Sequence, residues 1–132
     1  MAESILCVGR NRRNQELLSQ VLTRAGYSVT VALTYEEIAA VVSQQSTTLV
    51  LLDIAGFDGR IWQVCQGFKE RAIPFFIVAP PNNAHLPARH VPGNPVLIKP
   101  LVIRDLLTLI ERTFQAHYEE ESAPATARQQ RK

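Results

Sequence analysis

The 132 residues carry 14 Lys and Arg against 12 Asp and Glu, a formal charge of +2, and 46% of them are hydrophobic. Such a chain fits one globular domain that buries roughly two thirds of its unfolded surface, which excludes a disordered polymer. The basic residues are dispersed and no apolar run is long enough to cross a bilayer, so neither a nucleic-acid nor a membrane partner is expected.

Met1-Ala2-Glu3-Ser4 leads straight into Ile5-Leu6-Cys7-Val8, a short apolar strand. Without a basic region, a long apolar stretch and a cleavage site, secretion is not expected and a cytoplasmic location is. Cys7 and Cys65 are far apart in apolar surroundings, which predicts buried free thiols rather than a redox pair or a zinc site. From about Asn14 to Ala25, residues Leu17, Leu18, Val21, Leu22 and Ala25 recur at helical spacing, and Gly26 supplies a left-handed stop. Residues 27–32 alternate as a strand does. Thr34 and Glu37 then have the spacing of a capping box, which opens a second helix through Val42 with Ile38, Val41 and Val42 on its apolar face.

Thr48-Leu49-Val50-Leu51-Leu52 is apolar and β-branched on consecutive positions, the pattern of a parallel strand covered on both faces, and Asp53 ends it. Ile61, Val64, Cys65 and Phe68 give a third helix, residues 74–78 a fourth strand, and Val96-Leu97-Ile98 a fifth. Five prolines, Pro80, Pro81, Pro87, Pro92 and Pro95, lie between the last two strands. A proline inside a helix costs about 3 kcal/mol, so the fourth helix should be short or unformed. The final helix places Ile103, Leu106, Leu107, Ile110 and Phe114 on one stripe. From residue 117 the pattern gives way to Glu119-Glu120-Glu121 and a Ser, Ala and Pro stretch with Arg128, Arg131 and Lys132, expected to be a flexible tail behind a domain spanning residues 1–116.

Alternating strands and helices predict an α/β fold with a doubly wound, five-stranded parallel sheet in a flavodoxin-like three-layer sandwich. Sites in such folds lie outside the carboxyl ends of the strands, so Gly9, Asp53, Ala79 and Lys99 should converge. No GxGxxG or GxxxxGK[ST] follows the first strand and no GxSxG elbow occurs, so dinucleotide, P-loop and serine-hydrolase readings lack their motifs. His85, His90 and His117 form no ligand spacing with the cysteines and read as surface residues, and Trp62 reads as packing.

Asp53 at the end of Leu49-Val50-Leu51-Leu52 and Lys99-Pro100 after Ile98 make the chain resemble the response-regulator receiver domain, of the CheY-like kind, over about residues 4–115. The resemblance implies that Asp53 stands at the phosphoacceptor position, that Lys99 is the lysine beside the phosphoryl group, and that the partners are a histidine kinase or a downstream effector, with a homodimer possible. It also implies magnesium held by an acidic pair after the first strand, but those positions are Gly9 and Arg10, with only the neutral Asn11 carbonyl nearby. Ala79 replaces the hydroxyl expected after the fourth strand, and Val96 replaces the aromatic partner of the switch. The loop after Asp53 lacks the usual proline.

Three readings follow. The first is a pseudo-receiver, not an enzyme, acting through protein contacts in two-component (phosphorelay) signalling, with no metal or other cofactor and with Arg10 and Lys99 offsetting the charge of Asp53. The second is a working phosphoacceptor. The third is a flavodoxin-like ligand-binding domain or small enzyme.

Overall fold

A parallel strand covered on both faces must be apolar along its length, and two segments meet that demand but for the Asp53 that ends the first. In the computed structural model, which describes residues 3–122, Leu49–Asp53 (β3) and Phe75–Ala79 (β4) are buried from end to end. Around them lie Ser4–Val8 (β1), Ser28–Ala32 (β2) and Val96–Ile98 (β5). All pair in parallel, in the order β2-β1-β3-β4-β5. Parallel neighbours need long crossovers, and the helices Arg12–Arg24 (α1), Tyr35–Gln44 (α2), Ile61–Glu70 (α3) and Leu86–His90 (α4) supply them. Because the order reverses beside β1, the sheet is doubly wound as predicted.

One apolar cluster joins Leu6, Val8, Val50, Leu52 and Ile77 of the sheet to Ile38 of α2 and to Ile61, Cys65 and Phe68 of α3. Both cysteines are free and buried, and desolvation pushes each thiol up to about 12. The helix between β4 and β5 is cut to five residues, preceded by a 3-10 turn at Pro81–Asn83, as the prolines require.

The Thr34 hydroxyl accepts the Glu37 amide at 3.1 Å, while the Glu37 carboxylate accepts the amide of Leu33, one residue ahead of the cap, at 2.7 Å. After α1, Gly26 takes φ +102, the left-handed turn its lack of a Cβ allows. After α3 the same position is held by Ala72 at φ 57.

The stripe assigned to α1 needs correction: Leu17 is 48% exposed, and Gln15 takes the buried place two turns before Leu22. Helical spacing shows which residues share a face, but not where that face begins.

One compact unit ends at Pro100 and the other begins at Leu101, containing the helix Ile103–Ser122 (α5). Leu106, Ile110 and Phe114 of α5 are buried, whereas Ile103, expected on the same stripe, is 37% exposed. Past residue 117, where the tail was expected to begin, α5 continues to Ser122. Gln115, Ala116 and Glu119 are compatible with a helix, Gln115 Nε2 donates to Glu119 Oε1 at 3.1 Å one turn on, and no proline intervenes before Pro124. The rest of that segment, 123–132, lies outside the described residues.

Candidate functional site

The strand register brings the expected site residues to one edge of the sheet. Val8 pairs with Leu52, Asp53 with Val78, and Ala79 with Ile98, so Gly9, Asp53, Ala79 and Lys99 all lie at the carboxyl ends of their strands. Two strand spacings, about 10 Å, separate β5 from β3. The long Lys99 side chain closes that distance, placing Nζ 2.6 Å from Asp53 Oδ2. The other carboxylate oxygen accepts the Ala55 amide at 3.1 Å. The Asp53 side chain is 11% exposed and that of Lys99 29%, so the pair is largely withdrawn from water. Lys99 is fixed by its own amide, which donates to the Ala79 carbonyl at 2.9 Å, and the following bond to Pro100 is cis.

Arg10 does not join this pair. Its guanidinium donates to the Leu33 carbonyl at 3.3 Å and lies 5.8 Å from the centroid of the Phe57 ring. Its stem runs along the loop after β3, where a Cβ added to Gly56 would stand 3.2 Å from Arg10 Cγ. The sequence expectation that Arg10 and Lys99 together offset the charge of Asp53 is therefore corrected: Lys99 does so, and Arg10 ties three loops together. A carbonyl and an aromatic face within reach hold the guanidinium there.

Two further expectations meet the geometry. Asn11, the one neutral oxygen near the acidic-pair positions, is committed as the cap of α1, its Oδ1 accepting the Asn14 amide at 2.9 Å. Ala79 is fully buried, and Val96 packs on the apolar cluster.

The donor set does not suit magnesium. A small hard divalent ion needs clustered oxygen ligands, ordinarily including one or two carboxylates plus waters. Of Gly9, Arg10, Asp53, Ala79 and Lys99, Asp53 alone carries a carboxylate, and it is already paired. Among the described residues, no three His, Cys, Asp or Glu side chains gather as metal ligands would.

At the rim stands a network that residue spacing did not announce. Asp58 accepts the Tyr35 hydroxyl at 2.8 Å and the Arg60 amide at 3.0 Å, and it takes both Nε and NH2 of the Arg60 guanidinium. The Arg60 guanidinium lies 4.7 Å from the Tyr35 ring centroid, and the Phe57 ring lies 5.3 Å from that of Tyr35, centroid to centroid. The Arg60 hydrogen bond, followed by that of Tyr35, holds the Asp58 carboxyl down at about 2. Asp58 with Gly59 and Arg60 is an Asx turn, the one local signal that could have revealed it. Further along, Trp62 of α3 stacks on His90 of α4, with centroids 4.5 Å apart and planes 11° from parallel.

This architecture is that of the response-regulator receiver domains. The chain is similar to a CheY-like receiver domain protein from Methanospirillum hungatei JF-1 at TM-score 0.77 and 23% identity, over 91% of this chain and 99% of that one. It is similar to a response regulator receiver protein from Sinorhizobium medicae WSM419 at TM-score 0.74 and 25% identity, over 87% and 96%. NtrX from Brucella abortus, solved in complex with ADP, matches at TM-score 0.79 and 21% identity, with 92% of this chain covering 28% of that one. No family model matches the sequence, and no curated protein does. Among the described residues, no helix is long and apolar enough to cross a membrane.

Proposed function

We propose that the chain is a receiver-like module of two-component signal transduction that works through protein contacts, with its magnesium-dependent phosphorylation degraded. The observation that carries this reading is the Asp53–Lys99 pair at 2.6 Å where, among the described residues, no three His, Cys, Asp or Glu side chains gather as metal ligands would. Transfer of a phosphoryl group to a carboxylate brings negative charge onto negative charge, and divalent metal is the usual means of lowering that barrier. Here a fixed ammonium neutralises Asp53 in advance, while Gly9 and Arg10 stand where acids would be needed. Ala79 has no hydroxyl to bind an added phosphoryl group, and Val96 has no aromatic ring to respond. The shape of the fold, rather than the chemistry, is what a partner would read, and a histidine kinase or an effector is the class of partner proposed. The module needs no cofactor and catalyses no reaction of its own.

A magnesium titration monitored through Trp62 fluorescence, with and without beryllofluoride as an acyl-phosphate mimic, tests this reading. No saturable response is expected at millimolar magnesium. A response that disappears in Asp53→Asn would overturn it in favour of a working phosphoacceptor, the second reading, which the same Asp53–Lys99 geometry supports.

A further inference from the structure

The backbone at Gly9 lies outside the left-handed region, so conformation alone does not demand glycine there. Space does. A Cβ at this position would stand 2.2 Å from Gln15 Nε2, 2.7 Å from Cδ and 3.1 Å from Cγ. Gln15 lies in the first full turn of α1, its amide bonded to the Asn11 carbonyl at 3.2 Å, and it is 3% exposed. The end of a glutamine can ordinarily swing aside, but a side chain so enclosed has little room to do so.

The side-chain amide is also incompletely satisfied, since Gln15 Oε1 is buried with no hydrogen-bond partner. Proteins rarely retain such an oxygen. A glutamine kept there with that oxygen unpartnered, its Nε2, Cδ and Cγ against Gly9, marks a side chain placed for the volume it fills.

We infer that Gln15 is the residue that shuts the acidic-pair side of the Asp53 pocket, and that positions 9 and 15 form one coupled unit. The inference rests on the metal-blind reading of the pocket and names the part that enforces it. An acid restored at position 9 would meet the Gln15 amide before it could turn toward Asp53. Exchanging Gly9 and Arg10 for acids is then insufficient, and the pocket opens to a divalent cation only when Gln15 is shortened as well.

Two measurements on the full chain decide this. In the first, Mn2+ is titrated as a paramagnetic stand-in for Mg2+ and the free ion is followed by electron paramagnetic resonance. Gly9→Asp/Arg10→Asp should bind at least about tenfold more weakly than the same variant carrying Gln15→Ala, and Asp53→Asn should abolish the gain. Equal binding with and without Gln15→Ala, or no binding by either, would overturn the inference.

The second is a thermal-melting cycle on milder variants that need no metal. Gly9→Ala should lower the midpoint in the wild-type background and leave it unchanged in the Gln15→Ala background, because only the first contains the clash. An equal fall in both backgrounds would refute the coupling. Asp53-dependent Mn2+ binding by the wild type would remove the metal-blind reading itself, and the melting cycle would still judge the coupling on its own.

Discussion

Replacing Lys99 by methionine keeps an unbranched stem and removes only the ammonium, which strands the Asp53 carboxylate at the end of β3. Removing one partner of a fully buried ion pair costs about 3–5 kcal/mol. Two features reduce that figure here. The Lys99 side chain is 29% exposed, so water reaches part of the pair, and the Ala55 amide remains bonded to Oδ1. The expected loss is therefore about 2 kcal/mol, which for a chain of this size lowers the melting midpoint by about 8 °C. Urea unfolding followed by far-ultraviolet circular dichroism measures it, provided the slope against urea is unchanged. Asp53→Asn/Lys99→Met should recover about 1 kcal/mol relative to Lys99→Met, because no charge is then left without a partner. If Lys99→Met lies within about 0.5 kcal/mol of wild type, or the double variant is the weaker of the two, the pair does not hold this edge of the sheet together.

Acid should loosen the rim. The Asp58 carboxyl is held at about 2 against an ordinary 3.8, so its contribution is fully present above the ordinary value and is lost as pH falls toward 2. Tyr35 ring resonances in NMR should shift across that window in wild type and not in Asp58→Asn. Cys7 and Cys65, both raised to about 12 by burial, should resist Ellman's reagent at pH 8 in the native protein and both react in urea, while rapid native labelling of either would contradict their burial. Ala72→Gly should stabilise the chain by about 0.5 kcal/mol by relieving the left-handed conformation at φ 57, and Gly26→Ala should destabilise it by about 1 kcal/mol at φ +102 where nothing crowds the new methyl, both read by urea unfolding.

The strands and their succession along the chain were legible because each physical demand left a mark in residue type. Full burial of β3 required Leu49 to Leu52 to be apolar without interruption, and the prolines between β4 and β5 shortened the intervening helix as their missing amides require. Asp53 and Lys99 could be placed at the same edge because both end strands, and the register carried them there. What could not be read were choices made among equivalent side chains. Leu17 and Gln15 both lie near the buried stripe of α1, and the glutamine is enclosed because the chain opposite it, at Gly9, has no side chain. Arg10 was assigned to Asp53 by charge, but a carbonyl and an aromatic face on neighbouring loops compete for a guanidinium, and sequence spacing contains no information on that competition.

The substitutions around Asp53 also form a consistent set in electrostatic terms. In a pocket built for a divalent ion, carboxylates outnumber cations until the metal arrives, and their mutual repulsion is relieved by binding it. Here the balance is inverted: the Asp53 carboxylate faces the Lys99 ammonium, while Arg10, Arg12 and Arg13 follow β1 with no acid in the first turn of α1. A cation approaching this edge meets a neutral pair with a basic segment following β1, which lowers its affinity before any ligand geometry is considered. Restoring the acids alone would therefore have to overcome both the occupied volume above Gly9 and the field of these arginines. The two obstacles separate experimentally, since salt screens the arginine field and leaves the Gln15 contact untouched. Raising ionic strength should narrow the affinity difference between variants that differ at Arg12 and Arg13, and it should leave the difference produced by Gln15→Ala unchanged.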